Sequence, residues 1–553
     1  MNEMICTDDI PSDMAAMEDG MTRDHKMPWK ELLHGLLILS MLLASCFLNA
    51  SPGGADQQPG PLLQKIWMLV QQGNLAEARA QLDECIKTYP TVAGFRTLLG
   101  IIEAQQKHFS AAELDFRKSI ELDPKFLSGY LNLGHLYQEQ LSTDPEVWEK
   151  SVATYESLLK IEPSNAEANF QLALLLEGHG RFQDSLRHID RLPGAIRKQK
   201  RALALSVADY AGIGNDKQAE ATSTELMTAS DLTEADIAPV LAVLEARHQE
   251  VLEAQLLSGL AARGLASSAA LQRLGKLYAR QGRLPEARRT LEEVAVREAR
   301  PTYVLLELGR IADQQKDYIS ALGFLARARD LEPGNSSVHY LFGMVCVQEN
   351  LSQEAYTSLK RAVSLKPDDP YYNYALGAVI LDRQDTREAI PYFEKFCKLR
   401  PNDPRGRFGL GAAYFLSHDL VSASREFKSI EEFPQTRAGA RYFLGRIANL
   451  QGDFDTASKE LELALKEQPE YPEAYTQLGL VRMNQKQYLQ AENAFHAALA
   501  RDPDNYLANL NLMILYQRRH DPRAQEQEQK FATIKNKRDI TAKMFLRTVE
   551  VVR

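Results

Sequence analysis

The 553-residue sequence places few groups where they could do chemistry. Its 11 histidines are dispersed, and none lies in H-E-x-x-H or at metal-ligand spacing from a cysteine or carboxylate. The five cysteines stand at 6, 46, 85, 346 and 397 without a C-x-x-C pair, so neither a zinc site nor a disulfide framework is expected. There is no G-x-S-x-G elbow and no G-x-x-x-x-G-K-[ST] loop. One glycine cluster, Gly406-Arg407-Phe408-Gly409-Leu410-Gly411, lies in helical text with no strand before it, so it lacks the context of a phosphate cradle. The expectation is a chain with no catalytic residue, no metal and no cofactor.

The organisation lies in a period instead. Leu274-Gly275 is followed every 34 residues by Leu308-Gly309, Phe342-Gly343, Leu376-Gly377, Leu410-Gly411, Leu444-Gly445 and Leu478-Gly479. Twelve residues behind each glycine stands an alanine, from Ala287 through Ala321, Ala355, Ala389, Ala423 and Ala457 to Ala491. Prolines close units at Pro333, Pro367, Pro401, Pro469 and Pro503. Each unit reads as two helices joined by a polar turn such as Asn350-Leu351-Ser352. The Gly and Ala let the two backbones approach where they cross, and Pro stops the second helix. One such pair cannot bury both apolar faces, so neighbours must stack.

These residues resemble the tetratricopeptide repeat, a 34-residue helix–turn–helix with Leu-Gly on its first helix, Ala on its second and Pro at its end. Tyr278, Tyr414 and Tyr516 fall in the family's aromatic slot three residues after the glycine position, and Phe116, Phe393, Phe427 and Phe495 in its second-helix slot. The resemblance implies an all-α fold, a right-handed superhelical solenoid of antiparallel helix pairs, with the first helices lining a concave face. In this family partners lie against the positions three before and one after the glycine. Here the former holds Tyr340, Tyr374, Phe408 and Tyr442, with Tyr371 one turn from Tyr374. Such a stripe can grip a peptide or helix of another protein at low entropy cost, or it can serve packing between units. Arg407, Arg441 and Arg446 could add a carboxylate contact, or be used in surface ion pairs. Some members clamp chaperone C-terminal carboxylates with Lys and Asn; the matching places here hold Leu131 and His135, or Tyr340 and Met344, and no such binding is expected.

The array extends both ways. Counting back from Gly134 reaches Gly100 and Ile66, while the step from Gly134 to Leu172-Ala173 grows to 39, an insertion placed in the turn at Ser142-Thr143-Asp144-Pro145. The domain reading is an acidic leader plus signal or anchor over 1–50, a linker over 51–60, an N-terminal array over 61–194, degenerate helical repeats over 195–268, a regular array over 269–520, and a capping helix with polar tail over 521–553. In the degenerate stretch Ala208 and Ala242 keep approximate spacing, and turn glycines and terminal prolines are expected to be missing. Cys85 and Cys346 fall in core slots and read as small core residues.

Lys30 precedes an apolar run from Leu32 to Leu48, short for a membrane span and suited to the h-region of an export signal. Leu43-Ala44-Ser45-Cys46 resembles a bacterial lipoprotein box, which makes Cys46 the candidate lipidation site; an uncleaved anchor and cleavage after Ala50 are the alternatives. The formal net charge of −9 argues against wholesale nucleic-acid binding. The functional expectation is a non-catalytic scaffold that binds segments of other proteins, exported and membrane-tethered in the periplasm or cell envelope through its N-terminal segment. A glycan- or polymer-binding accessory subunit of an envelope enzyme, or a cytoplasmic adaptor, would use the same groove.

Overall fold

The structure is a computed structural model that describes residues 59–140 and 147–540. The described residues form 29 α-helices and no strand. Consecutive helices joined by three-residue turns pack as antiparallel pairs, among them Ala93–Gln105 with Phe109–Leu122, Ser336–Gln348 with Ser352–Leu365, and Pro472–Asn484 with Tyr488–Arg501. The chain divides into two compact units, one ending at Leu277 and the other beginning at Tyr278, so the division falls inside the helix Ser268–Arg280. The leader, the 32–48 run, Cys46 and the insertion placed at 142–145 lie outside the described residues.

The crossing slot explains the glycines. A Cβ built on Gly100 would stand 2.6 Å from the Phe116 ring, one on Gly309 2.6 Å from Leu325 Cγ, and one on Gly343 2.7 Å from Leu359 Cγ. In each case the occupant lies sixteen residues on, on the partner helix of the same unit. On Gly445 the added carbon would also stand 3.2 Å from the carbonyl oxygen of Ala457, the alanine twelve residues on. The first-helix glycine thus leaves room for one large side chain, and the alanine brings the second backbone close. The alanines Ala287, Ala321, Ala355, Ala389, Ala423, Ala457 and Ala491 are all 0% exposed.

The turn between the helices carries a second, stricter marker. A residue with positive φ stands at 180, 214, 248, 282, 316, 350, 384, 418, 452, 486 and 520, every 34 residues without a break. It ends the first helix in the left-handed conformation, where glycine is unstrained and other residues cost about 1 kcal/mol. The occupants are Gly180, Gly214, Gly282 and Gly452, Asn350, and elsewhere His, Lys or Gln. In some units the next residue caps the second helix, as Asn215, Asp317, Asp385, Asp419 and Asp453 do by accepting from the backbone N–H three residues on.

This marker corrects the reading of 195–268. The stretch holds two helical pairs, Lys200–Gly212 with Asp216–Leu226 and Glu234–Ala246 with Glu250–Ala262. Their turns fall at Gly214 and His248, in phase with the rest, so the first pair does possess its turn glycine. The glycine slot is therefore at Val207 and Leu241, one residue before the alanines that the sequence suggested, and both are buried. Large residues there hide the signature. At Val207 the occupant position holds the small Ser223, which restores the shared volume.

Candidate interaction groove

In the second unit the first helices form a row. Thr302–Gln314, Ser336–Gln348, Pro370–Asp382, Pro404–Leu416, Pro434–Leu450, Pro472–Asn484 and Tyr506–Arg518 each touch the next in that order. The second helices approach one another less closely, so the row of first helices is the inner face of this unit.

The five aromatic residues expected on that face fall into two packed clusters. Tyr374 is 5% exposed and wedged against Phe393 and Phe396 at 5.6 and 5.2 Å between ring centroids. Tyr340 is half-buried and stacks on Tyr372 at 4.8 Å; burial pushes its phenol well above the ordinary range. Tyr371 meets the Phe396 edge, with the Arg400 and Arg405 guanidiniums 5.4 and 5.6 Å from its ring centre. Further along, Tyr442 is 4% exposed between Phe443 and Tyr471. Phe408, half-buried, packs edge-on against Phe427 and Phe443 and occupies the space beside Gly439, where a Cβ would stand 2.8 Å from it. Packing therefore takes Tyr374, against the second helix of its own pair, and Tyr442, and leaves edges of Tyr340, Tyr371 and Phe408 at the surface.

The arginines divide in the same way. Arg407 pairs with Glu426 at 3.2 Å and Arg441 with Glu460 at 3.4 Å, each across its own helix pair. Arg446 makes no ion pair among the described residues. Its guanidinium lies 4.5 Å from the Phe415 ring centre and 5.4 and 5.5 Å from those of Tyr442 and Phe443. Leu450, one turn further along the same helix, is 61% exposed. A half-buried cation on an aromatic floor, beside a bare leucine, can accept a carboxylate and an apolar side chain together.

Arg407 and Arg441 take the ion-pair alternative that the sequence offered, and the position they share, four residues before the glycine slot, is a polar position in other units too, which sequence reasoning did not see. Where that residue is Arg, an acid nineteen residues on faces it: Arg96 with Asp115 at 3.1 Å, Arg407 with Glu426 and Arg441 with Glu460. Where it is Asn or His, the side chain donates to the carbonyl of the proline six residues back, as Asn169, His339, Asn373 and Asn509 do to Pro163, Pro333, Pro367 and Pro503. Those pairs recur in register, and the 34-residue alignment was the signal that could have shown them.

Two buried carboxyls in the first unit were also unforeseen. Asp209 is fully buried, and neither of its oxygens finds a hydrogen-bond partner. Burial pushes it up to about 8, with the nearby Glu177 adding to the rise and the Ser185 hydroxyl opposing it. Glu177, 6% exposed, is raised by burial to about 7. The thiols of Cys85 and Cys346 lie in the core, at 8% and 0% exposed, and burial pushes Cys346 up to about 12. Among the described residues no cluster of His, Cys, Asp or Glu could hold a metal ion, and no helix is long and apolar enough to cross a membrane.

Models of the tetratricopeptide repeat match residues 63–125, 272–336, 314–379, 438–471 and 472–505. Among curated proteins no sequence matches the chain. Solved structures similar to it include a tetratricopeptide repeat protein from Parabacteroides merdae ATCC 43184, 16% identical, covering 45% of this chain and 98% of that one with a TM-score of 0.39. Others are the APC/C hetero-tetramer Cut9-Hcn1 (14% identical, 91% and 98% covered, TM-score 0.38) and yeast Tom70 (16%, 84% and 94%, 0.35). By these family matches residues 63–125, 272–379 and 438–505 are tetratricopeptide repeats.

Proposed function

We propose that the protein is a non-catalytic scaffold that docks a segment of another protein on the inner face of its second unit, around Arg446 and Leu450. The observation that carries this reading is the Arg446 guanidinium, which makes no ion pair among the described residues and lies on the rings of Phe415, Tyr442 and Phe443 beside an exposed leucine. Every other arginine of the expected set spends its charge inside the chain, so this one is available to a partner's carboxylate. The edges of Phe408, Tyr371 and Tyr340 extend the contact along the row.

The test is in-cell cross-linking followed by purification of tagged protein, comparing wild type with Arg446→Glu/Leu450→Asp. Both side chains reach the surface, so the variant keeps its helices, which circular dichroism checks. A protein recovered with the wild type and lost with the variant supports the reading, while the same recovery from both would sink it.

We further propose that the scaffold is exported to the cell envelope, with the Leu32–Leu48 run as its signal and Cys46, lipidated after cleavage, as its membrane anchor. What supports this is the apolar run and its Leu-Ala-Ser-Cys box. The mass of the native N-terminal peptide tests it, because an unprocessed acidic leader would refute export by cleavage.

A further inference from the structure

The longest joint among the described residues of the first unit follows its shortest repeat helix, Phe182–Ile189. Between Phe182–Ile189 and Lys200–Gly212 the connection runs over ten residues, 190–199, whereas the joints after Leu331, Leu365 and Leu399 each take four. The repeat period is kept, with the turns at Gly180 and Gly214 still 34 residues apart, so the joint is long because Phe182–Ile189 stops after eight residues where Tyr318–Leu331 and Ser352–Leu365 run to fourteen. The chain this frees from helix lies at the surface. This loop carries a four-residue helix, Gly194–Arg197, and an unusual charge. From Arg181 to Arg201 there are seven Lys and Arg against Asp184 and Asp190, in a chain whose net charge is −9.

The charges are not all used internally. Arg181 and Arg187 both hold Asp184 at 2.7 Å, and Lys200 reaches Asp236 at 2.9 Å and Asp231 at 3.2 Å. Arg197 lies 3.9 Å from Asp190, at the limit of an ion pair, and 47% of its side chain is exposed. Arg191, Lys198 and Arg201 are exposed and make no ion pair among the described residues. The field they create is felt next door: the His188 imidazole is pushed down to about 4, first by burial and then by Arg191, with Arg181 and Arg187 adding to it. His188 is therefore neutral and does not help to neutralise an incoming anion.

We propose that this loop is a contact surface for the anionic headgroups of a phospholipid membrane. Three features select that partner. The exposed cations Arg191, Lys198 and Arg201 make no ion pair among the described residues and are spread along the segment, which suits a surface of many negative charges better than one fixed carboxylate. Pro193, Gly194 and Ala195 at the turn are exposed and uncharged, so the loop can approach headgroups closely. The tether proposed above, whether Cys46 or an uncleaved Leu32–Leu48 run forms it, would hold the chain beside a membrane, so that a second, individually weak contact with the headgroups acts at high effective concentration. This last point alone leans on the tether proposed above.

The test uses the full chain with vesicles of phosphatidylcholine alone or with about one-third phosphatidylglycerol, in low salt, where screening is weakest. Each free cation at an anionic surface contributes up to about fivefold, so wild type should prefer the anionic vesicles by roughly a hundredfold. Arg191→Glu/Lys198→Glu/Arg201→Glu should abolish the preference. In the wild type, tryptic cleavage after Arg191 and Arg197 should slow on the anionic vesicles only. This local readout survives even if the apolar run carries the chain onto both kinds of vesicle. Equal preference in wild type and variant, or an unprotected loop on anionic vesicles, overturns the proposal. So does a variant that loses retention on RNA or polyglutamate while vesicle binding shows no lipid preference.

Discussion

Replacing Gly309 by valine tests the crossing slot directly. The added Cβ would stand 2.6 Å from Leu325 Cγ, closer than two carbons can approach, so Leu325 must leave its rotamer. Overpacking of this kind costs about 1–3 kcal/mol, offset by the few tenths that valine gains over glycine in a helix. Leu325→Ser removes a side chain only 1% exposed and should cost about 2–5 kcal/mol through lost burial and a cavity. The double variant recreates the arrangement at Val207 and Ser223, where a branched first-helix residue faces a small second-helix one. The valine then fills the void left by the leucine, and the double variant should be less destabilised than the sum of the singles by about 2 kcal/mol. Amide hydrogen exchange over Thr302–Gln314 and Tyr318–Leu331 measures this locally, which a chain of many weakly coupled repeats requires. Strict additivity would refute the claim that the two positions share one volume, and with it the register assigned to Val207.

Three other expectations follow from the buried groups. Asp209 and Glu177 keep their protons in the folded chain to about pH 8 and 7 but lose them near pH 4 when unfolded. Stability of Lys200–Gly212 should therefore fall as pH rises from about 4 to 8, and Asp209→Asn should flatten that slope and stabilise at pH 8, by hydrogen exchange. Glu492, 7% exposed, holds Arg519 at 3.1 Å, Arg523 at 2.6 Å and the Tyr516 hydroxyl at 3.1 Å, so Glu492→Gln should loosen Ala524–Ile540, with exchange in that helix rising ahead of its neighbours. Cys346 and Cys397, whose thiols burial pushes up to about 12 and about 11, should resist alkylation at pH 8 by at least about tenfold relative to the denatured chain; prompt labelling of the native protein would contradict their placement.

The sequence by itself determined the helix–turn–helix unit, its period and its core. Apolar spacing, a glycine facing an alanine across a helix pair, and proline stops are local rules, and each unit obeys them with residues at most sixteen positions apart. Cys85 and Cys346 were legible as core residues for the same reason. What needed tertiary structure was any quantity shared between positions. The slot at Val207 was invisible because its signature is a summed volume, large on one helix and small at Ser223 on the other. Left-handed turns at His248, His418 and His520 announce nothing in their residue type, because the cost of about 1 kcal/mol is offset by packing of the helices on either side. Only tertiary packing decided that Tyr374 and Tyr442 belong to the core while Arg446 stays half-exposed on the inner face, since the same aromatic at the same repeat position is covered or bare according to which side chains pack against it. The charge at 187–201 was present in the sequence all along. Its meaning awaited the structure, which showed which of its cations are neutralised and which are left to meet a partner.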